Sequence, residues 1–153
     1  MTDRSVTMLR CRAMTTFETS TGPVAVDVRG AGETTIVLLP SGAHDHHDFD
    51  ALRERLPEGL RTIAVDWPGH GASPLGDVPL TAMRCADVAE EVVAGLVPEG
   101  AVVVGNSVGG FAAARLALRR PELVRGLVLV DSGGFVGRPP QVRAFCALMA
   151  RPG

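Results

Sequence analysis

Four short runs of apolar and β-branched residues constrain this chain more than any other feature: residues 34–39, 61–66, 101–104 and 126–130. Continuous runs of this kind suit strands covered on both faces, as in a parallel sheet. Stretches with helical spacing lie between them. Residues 48–56 place Phe49, Leu52 and Leu56 on one face. Residues 80–97 do the same with Met83, Val88, Val92 and Leu96, and Thr81 is placed to cap them. A helix over 108–119 follows the third run, and another is expected over 140–150. Strand and helix in alternation imply βαβ crossovers and an α/β fold with a mainly parallel sheet and flanking helices. Residues 24–28 alternate instead, with Val24, Val26 and Val28 on one side, which predicts a half-exposed antiparallel strand. Residues 67–79, rich in proline and glycine, read as loop.

Sites in such sheets gather at the carboxyl ends of the strands. Asp66, Ser107, Asp131 and the loop from Ser41 all fall at those ends. Among them, Gly105-Asn106-Ser107-Val108-Gly109 fits Gly-x-Ser-x-Gly, the nucleophile elbow. The turn from strand to helix there is so tight that the residues two before and two after the serine must be very small. It pushes the hydroxyl out at the amino end of the helix, where N–H groups and the helix dipole favour developing negative charge. A phosphate-binding glycine turn is the competing reading. Neither Gly-x-Gly-x-x-Gly nor Gly-Lys-Ser/Thr is present at this place.

The chain resembles the amino-terminal half of an α/β-hydrolase fold protein. The matching features are the Leu38-Leu39-Pro40-Ser41-Gly42-Ala43 loop, the Asp66-Trp67-Pro68-Gly69-His70-Gly71-Ala72-Ser73 loop, the elbow, and the strand ending at Asp131. The resemblance covers about residues 15–150. It implies Ser107 as nucleophile, with the N–H groups of Val108 and Ala43 forming the oxyanion hole. It implies ester, thioester or related acyl chemistry on a small-molecule substrate, and no cofactor. Ser41-Gly42 stands where the family usually has His-Gly. Asp131 stands where some members carry the triad acid, although Leu-Val-Leu-Val-Asp can equally end a strand with a turn-former. The domain expectation is a poorly ordered start over 1–14, the amino-terminal part of the hydrolase core over 15–137, and the incomplete start of a cap or lid helix over 138–153.

A serine hydroxyl is a weak nucleophile and needs a base. The four histidines, His44, His46, His47 and His70, all precede Ser107, whereas this fold orders its triad serine, acid, histidine. After Ser107 the carboxylates are Glu122 and Asp131, with no histidine or lysine. His70 lies at the correct sheet edge, in a loop the resemblance marks as structural. The expectation is therefore an incomplete chain, truncated before the last strands and lacking the triad histidine. Its strand over 126–130 would be an unprotected apolar edge. The alternative is a catalytically inactive fragment or an interaction domain on the same scaffold. A third reading takes His44, His46 and Asp48 as part of a His-x-His-x-Asp metal motif. It lacks the final histidine, Phe49 standing there, and downstream ligands, so no metal is expected.

Composition fits an ordinary globular domain, 46% hydrophobic and 21% charged. A net charge of −2 gives no electrostatic case for nucleic acid or anionic membranes as partners. No apolar run approaches the roughly 20 residues of a membrane span, and the first residues lack the apolar stretch of a secretory signal. Cys11, Cys85 and Cys146, odd in number and widely spaced, suit reduced thiols in a cytoplasm. Oligomeric state is left open.

Overall fold

The computed structural model describes residues 12–76, 78–135, 137, 139–141 and 143–144. Six strands form one sheet: β1 (Arg12–Thr19), β2 (Gly22–Arg29), β3 (Thr34–Leu39), β4 (Leu60–Val65), β5 (Ala101–Asn106) and β6 (Val124–Val130). Their spatial order is β1-β2-β4-β3-β5-β6. β3 runs parallel to β4 and to β5, and β5 parallel to β6. β1 and β2 form an antiparallel hairpin that joins β4 antiparallel. The register aligns Leu38 with Ala64, Leu39 with Gly105 and Asn106 with Val130. The loops leaving β3, β4, β5 and β6 therefore emerge together at one edge.

Two helices cover one face. α2 (Ala82–Leu96) starts at Thr81, whose hydroxyl accepts the Arg84 N–H at 3.3 Å. It buries Cys85, Ala86, Val88, Ala89, Val92 and Val93. α3 (Val108–Arg119) buries Ala112, Ala113 and Leu116. Together they close the main core over Val24, Val26, Val37, Ile63, Val65 and Val103. The opposite face carries a smaller core, Leu38, Phe49 and Ala64, under a 3-10 turn (His46–Phe49) and the single-turn α1 (Asp50–Arg53). None of the described helices is long and apolar enough to cross a membrane.

The expected parallel sheet and its flanking helices are present, and several details differ. β2 is buried on both sides from Val24 to Asp27 rather than half exposed. Val24 and Val26 belong to the helix-covered core, while Asp27, the next residue along the strand, is covered by Arg53 of α1. The expected helix over 48–56 is one short turn, and Arg53, not Leu52, is the residue it buries. Met83 of α2 faces out, because the helix turns its small residues Cys85 and Ala86 to the sheet. β1 was not expected. Its threonines give little apolar signal, and it exists by pairing with β2 along its whole length. It starts at Arg12, inside the segment expected to be poorly ordered.

β6 is open rather than covered on both faces, with Leu127, Val128, Leu129 and Val130 each about two-fifths exposed or more. It is an edge strand, the apolar edge expected from the sequence. Pro140, Gln141, Arg143 and Ala144 are helical, and the rest of the helix expected over 140–150 lies outside the described residues.

Candidate active site

Ser107 sits where β5 turns into α3, with φ 52° and ψ −113°. A serine beginning a helix ordinarily folds its hydroxyl back onto the next N–H groups. Here it makes no such bond. The left-handed backbone points the side chain away from the helix it starts. That strain, of order 1–3 kcal/mol for such a residue, is held by the flanking glycines and three backbone bonds. A Cβ on Gly105 would run into the Gly109 backbone and lie 2.6 Å from Gly110 N. A Cβ on Gly109 would strike the Leu39 carbonyl and lie 2.6 Å from Pro40 O. Ser107 N–H donates to Val130 O at 3.0 Å, and Ser107 O accepts from Phe111 N–H at 3.1 Å and Gly133 N–H at 2.9 Å. The elbow is thus bonded to the end of β6 and the loop after it, and packs closely on the end of β3.

Ala43, in the loop after β3, has φ 63°, and Asp131, just after β6, has φ 42°. Among the described residues, Ala43, Ser107 and Asp131 are the non-glycine residues with positive φ. All three were singled out from the sequence, and all lie at the edge where the strands end. Val108 opens α3, whose first N–H groups have no partner within the helix. The β3 loop reaches it: a Cβ on Gly42 would lie 3.8 Å from the Val108 side chain. Ser107 is half-buried, whereas Ala43 and Asp131 are exposed.

The histidines lead elsewhere. His44 bonds Asp48 through Nδ1 at 2.9 Å, which raises its pKa, and His47 bonds Asp50 through Nδ1 at 2.7 Å. His46 is buried, its Nδ1 3.0 Å from both Asp66 carboxylate oxygens. His70 Nδ1 donates to Pro68 O at 3.0 Å, inside its own loop. None of the four is hydrogen-bonded to Ser107. Nor do His44, His46 and Asp48 gather as the metal motif would require. Among the described residues, the group of three whose ligand atoms all come within 4.8 Å of one another is Asp45, His46 and His47. Each is already used: Asp45 accepts the His47 N–H at 2.9 Å, while His46 and His47 hold Asp66 and Asp50.

Two features here are not readable from the motifs. The first is Asp66, fully buried at the end of β4, which accepts the His46 N–H at 2.7 Å and the Ala72 N–H at 2.9 Å. The second is an ion network beneath it. Arg53 donates to Asp27 Oδ2 at 2.9 Å and to Thr62 Oγ1 at 2.9 Å. Arg29 donates to the same Asp27 oxygen at 2.7 Å and to Asp50 at 2.5 Å. Burial pushes the Arg53 guanidinium down to about 10, although Asp27 opposes it. The only sequence sign of this network is an aspartate set among the valines of β2.

The family model described as the alpha/beta hydrolase family matches residues 36–153. The chain belongs to the α/β-hydrolase family. It is 38% identical over 103 residues to a pimeloyl-acyl-carrier protein methyl ester esterase of Yersinia pseudotuberculosis, covering 67% of this chain and 38% of that protein. It is 33% identical over 135 residues to a 2-(acetamidomethylene)succinate hydrolase of Mesorhizobium japonicum, covering 85% and 46%. The chain thus spans less than half the length of these curated relatives. A solved N-acyl homoserine lactonase superposes with a TM-score of 0.72 at 30% identity, over 80% of this chain and 46% of that one. The lactonase shares the fold described above, and the loops that emerge at the carboxyl edge of the sheet lie within the residues the family model matches.

Proposed function

We propose that this α/β-hydrolase uses Ser107 as a nucleophile against an ester, thioester or related small acyl compound. The observation that carries the reading is the coincidence of backbone strain and chemistry. The non-glycine residues held in the left-handed region among those described are the proposed nucleophile, the proposed oxyanion donor and the proposed acid. In this reading Ser107 Oγ attacks the acyl carbon, and its proton passes to a histidine base. The N–H groups of Val108 and Ala43 hold the oxyanion of the tetrahedral intermediate. Collapse expels the alcohol or thiol, which takes the proton back from the histidine, and water then releases the acyl group by the same steps. The base is none of His44, His46, His47 and His70, each of which is engaged elsewhere. We take it from a part of the protein outside these residues. Asp131 would orient that histidine.

The relatives named as a methyl ester esterase and an acyl homoserine lactonase support acyl chemistry. The three widely spaced cysteines support a reducing cytoplasm. The engagement of all four histidines away from Ser107 favours a second reading, an inactive scaffold that only binds. Turnover of 4-nitrophenyl butyrate by the protein that includes the part proposed to supply the base separates the two. The Ser107→Ala variant should lose all of it. Turnover retained by that variant overturns the assignment, and a folded wild type without turnover favours the inactive scaffold.

A further inference from the structure

We propose that His46 is a positioning residue, which fixes the Ala43 N–H for the oxyanion by tying its loop to the Asp66 carboxylate. This rests on the serine-hydrolase reading above. Ala43 adopts a left-handed backbone without being glycine, so the loop does not hold it there unaided. The structure anchors that loop at both ends, and both anchors belong to the Asp66–Ser73 loop after β4. Upstream, the fully buried Trp67 donates from Nε1 to Pro40 O at 3.0 Å. Downstream, His46 places both its backbone N–H and its ring on Asp66, at 2.7 Å and 3.0 Å. Residues 41–45, with Ala43 at their centre, are strung between the two.

The anchoring loop is itself rigid. Asp66 also accepts the Ala72 N–H, and the Ser73 hydroxyl donates to Asp66 O at 2.7 Å. That same hydroxyl accepts the Ala25 N–H at 2.8 Å, which locks the loop onto β2. A carboxylate only accepts, so the His46 ring must carry its proton on Nδ1. Its Nε2 then faces Asp27 Oδ2 at 4.0 Å, the oxygen held by Arg53 and Arg29. The ring thus lies between the loop at the sheet edge and the buried ion network, bonded to the loop side through Nδ1. A bond through Nδ1 can be imitated by asparagine, whose amide nitrogen stands at the same point of the side chain. Leucine fills the space and removes the bond.

The test compares His46→Leu and His46→Asn with the wild type in two measurements. The first is kcat and KM for 4-nitrophenyl butyrate, on the protein that includes the part proposed to supply the base. The second is amide hydrogen exchange over residues 41–45. His46→Leu should lower kcat by about 10- to 100-fold with KM within about twofold, the size expected when a reacting group is held loosely. Exchange over 41–45 should quicken while β5 and α3 stay protected. His46→Asn should restore both. Unchanged exchange in His46→Leu, or equal losses in the two variants, overturns the proposal. If His46→Leu does not fold, Asp66→Asn makes the same comparison from the acceptor side. A wild type that turns nothing over refutes the serine-hydrolase reading, while the exchange experiment still decides whether His46 holds the loop.

Discussion

Replacing Arg53 with leucine should be among the most damaging single changes in the chain, although Arg53 touches none of the proposed reacting groups. Its side chain is 2% exposed and that of Asp27 is fully buried. The guanidinium makes four hydrogen bonds, to Thr62 Oγ1 and O and to Asp27 Oδ2 and O. Breaking a buried pair by removing one partner costs about 3–5 kcal/mol, because the other charge stays in the interior. Arg29 remains on the Asp27 carboxylate at 2.7 Å and has access to water, which puts the change at the lower end, about 3 kcal/mol. For a domain of this size each kcal/mol moves Tm by about 2–4 °C, so Arg53→Leu should melt about 6–12 °C lower. Adding Asp27→Leu should recover most of the loss, since a buried pair exchanged for apolar residues is often neutral. Thermal and urea melts of the wild type, both single variants and the double variant at pH 7 decide it. A single-variant shift under about 2 °C, or a double variant less stable than either single one, refutes the reasoning.

Gly109→Ala should cost about 1–3 kcal/mol, because its Cβ meets the Leu39 and Pro40 carbonyls rather than a side chain that can swing aside; an unchanged melting curve contradicts this. The hydrogen bond from His47, reinforced by Arg29, holds the Asp50 carboxyl down to about 2. A carboxyl whose folded pKa is depressed contributes stability present above its unfolded value, about 3.9, and lost as pH falls toward the folded one. Asp50→Asn should therefore flatten the pH dependence of stability between about 4 and 2, and equal slopes in the two proteins contradict that. Burial pushes the Cys85 thiol up to about 12, so iodoacetamide at pH 8 should modify Cys85 only after denaturation. Alkylation of Cys85 in the folded chain contradicts it.

What was legible in the sequence is what local pattern encodes. β3 spans the residues its apolar run marks, Thr81 caps the helix that follows it, and the tightness of the elbow is visible in Gly105 and Gly109 alone. What was not legible depends on partners distant along the chain. Arg53 turns inward because Asp27, 26 residues earlier, and Thr62 wait beneath it. A helical wheel therefore assigned the inward side to Leu52. β1 has almost no apolar signal of its own and forms on the edge offered by β2. Composition alone makes the run in β6 look buried, and its place at the edge of the sheet follows only from the order of elements along the chain. At the candidate site, the positive-φ residues Ser107, Ala43 and Asp131 are those that the elbow motif and the family resemblance point to. The roles of His46 and Asp66 were not, because both come from a carboxylate and a ring that meet only across two loops.

The central claim is that Ser107 is a chemically competent nucleophile at the carboxyl edge of the sheet. Treating the folded protein, including the part proposed to supply the histidine base, with a fluorophosphonate and mapping the adduct by peptide mass spectrometry tests it most directly. The account predicts one stoichiometric adduct, on Ser107, lost in Ser107→Ala. A folded protein with that part present that takes up no probe, or takes it up at another residue, contradicts it.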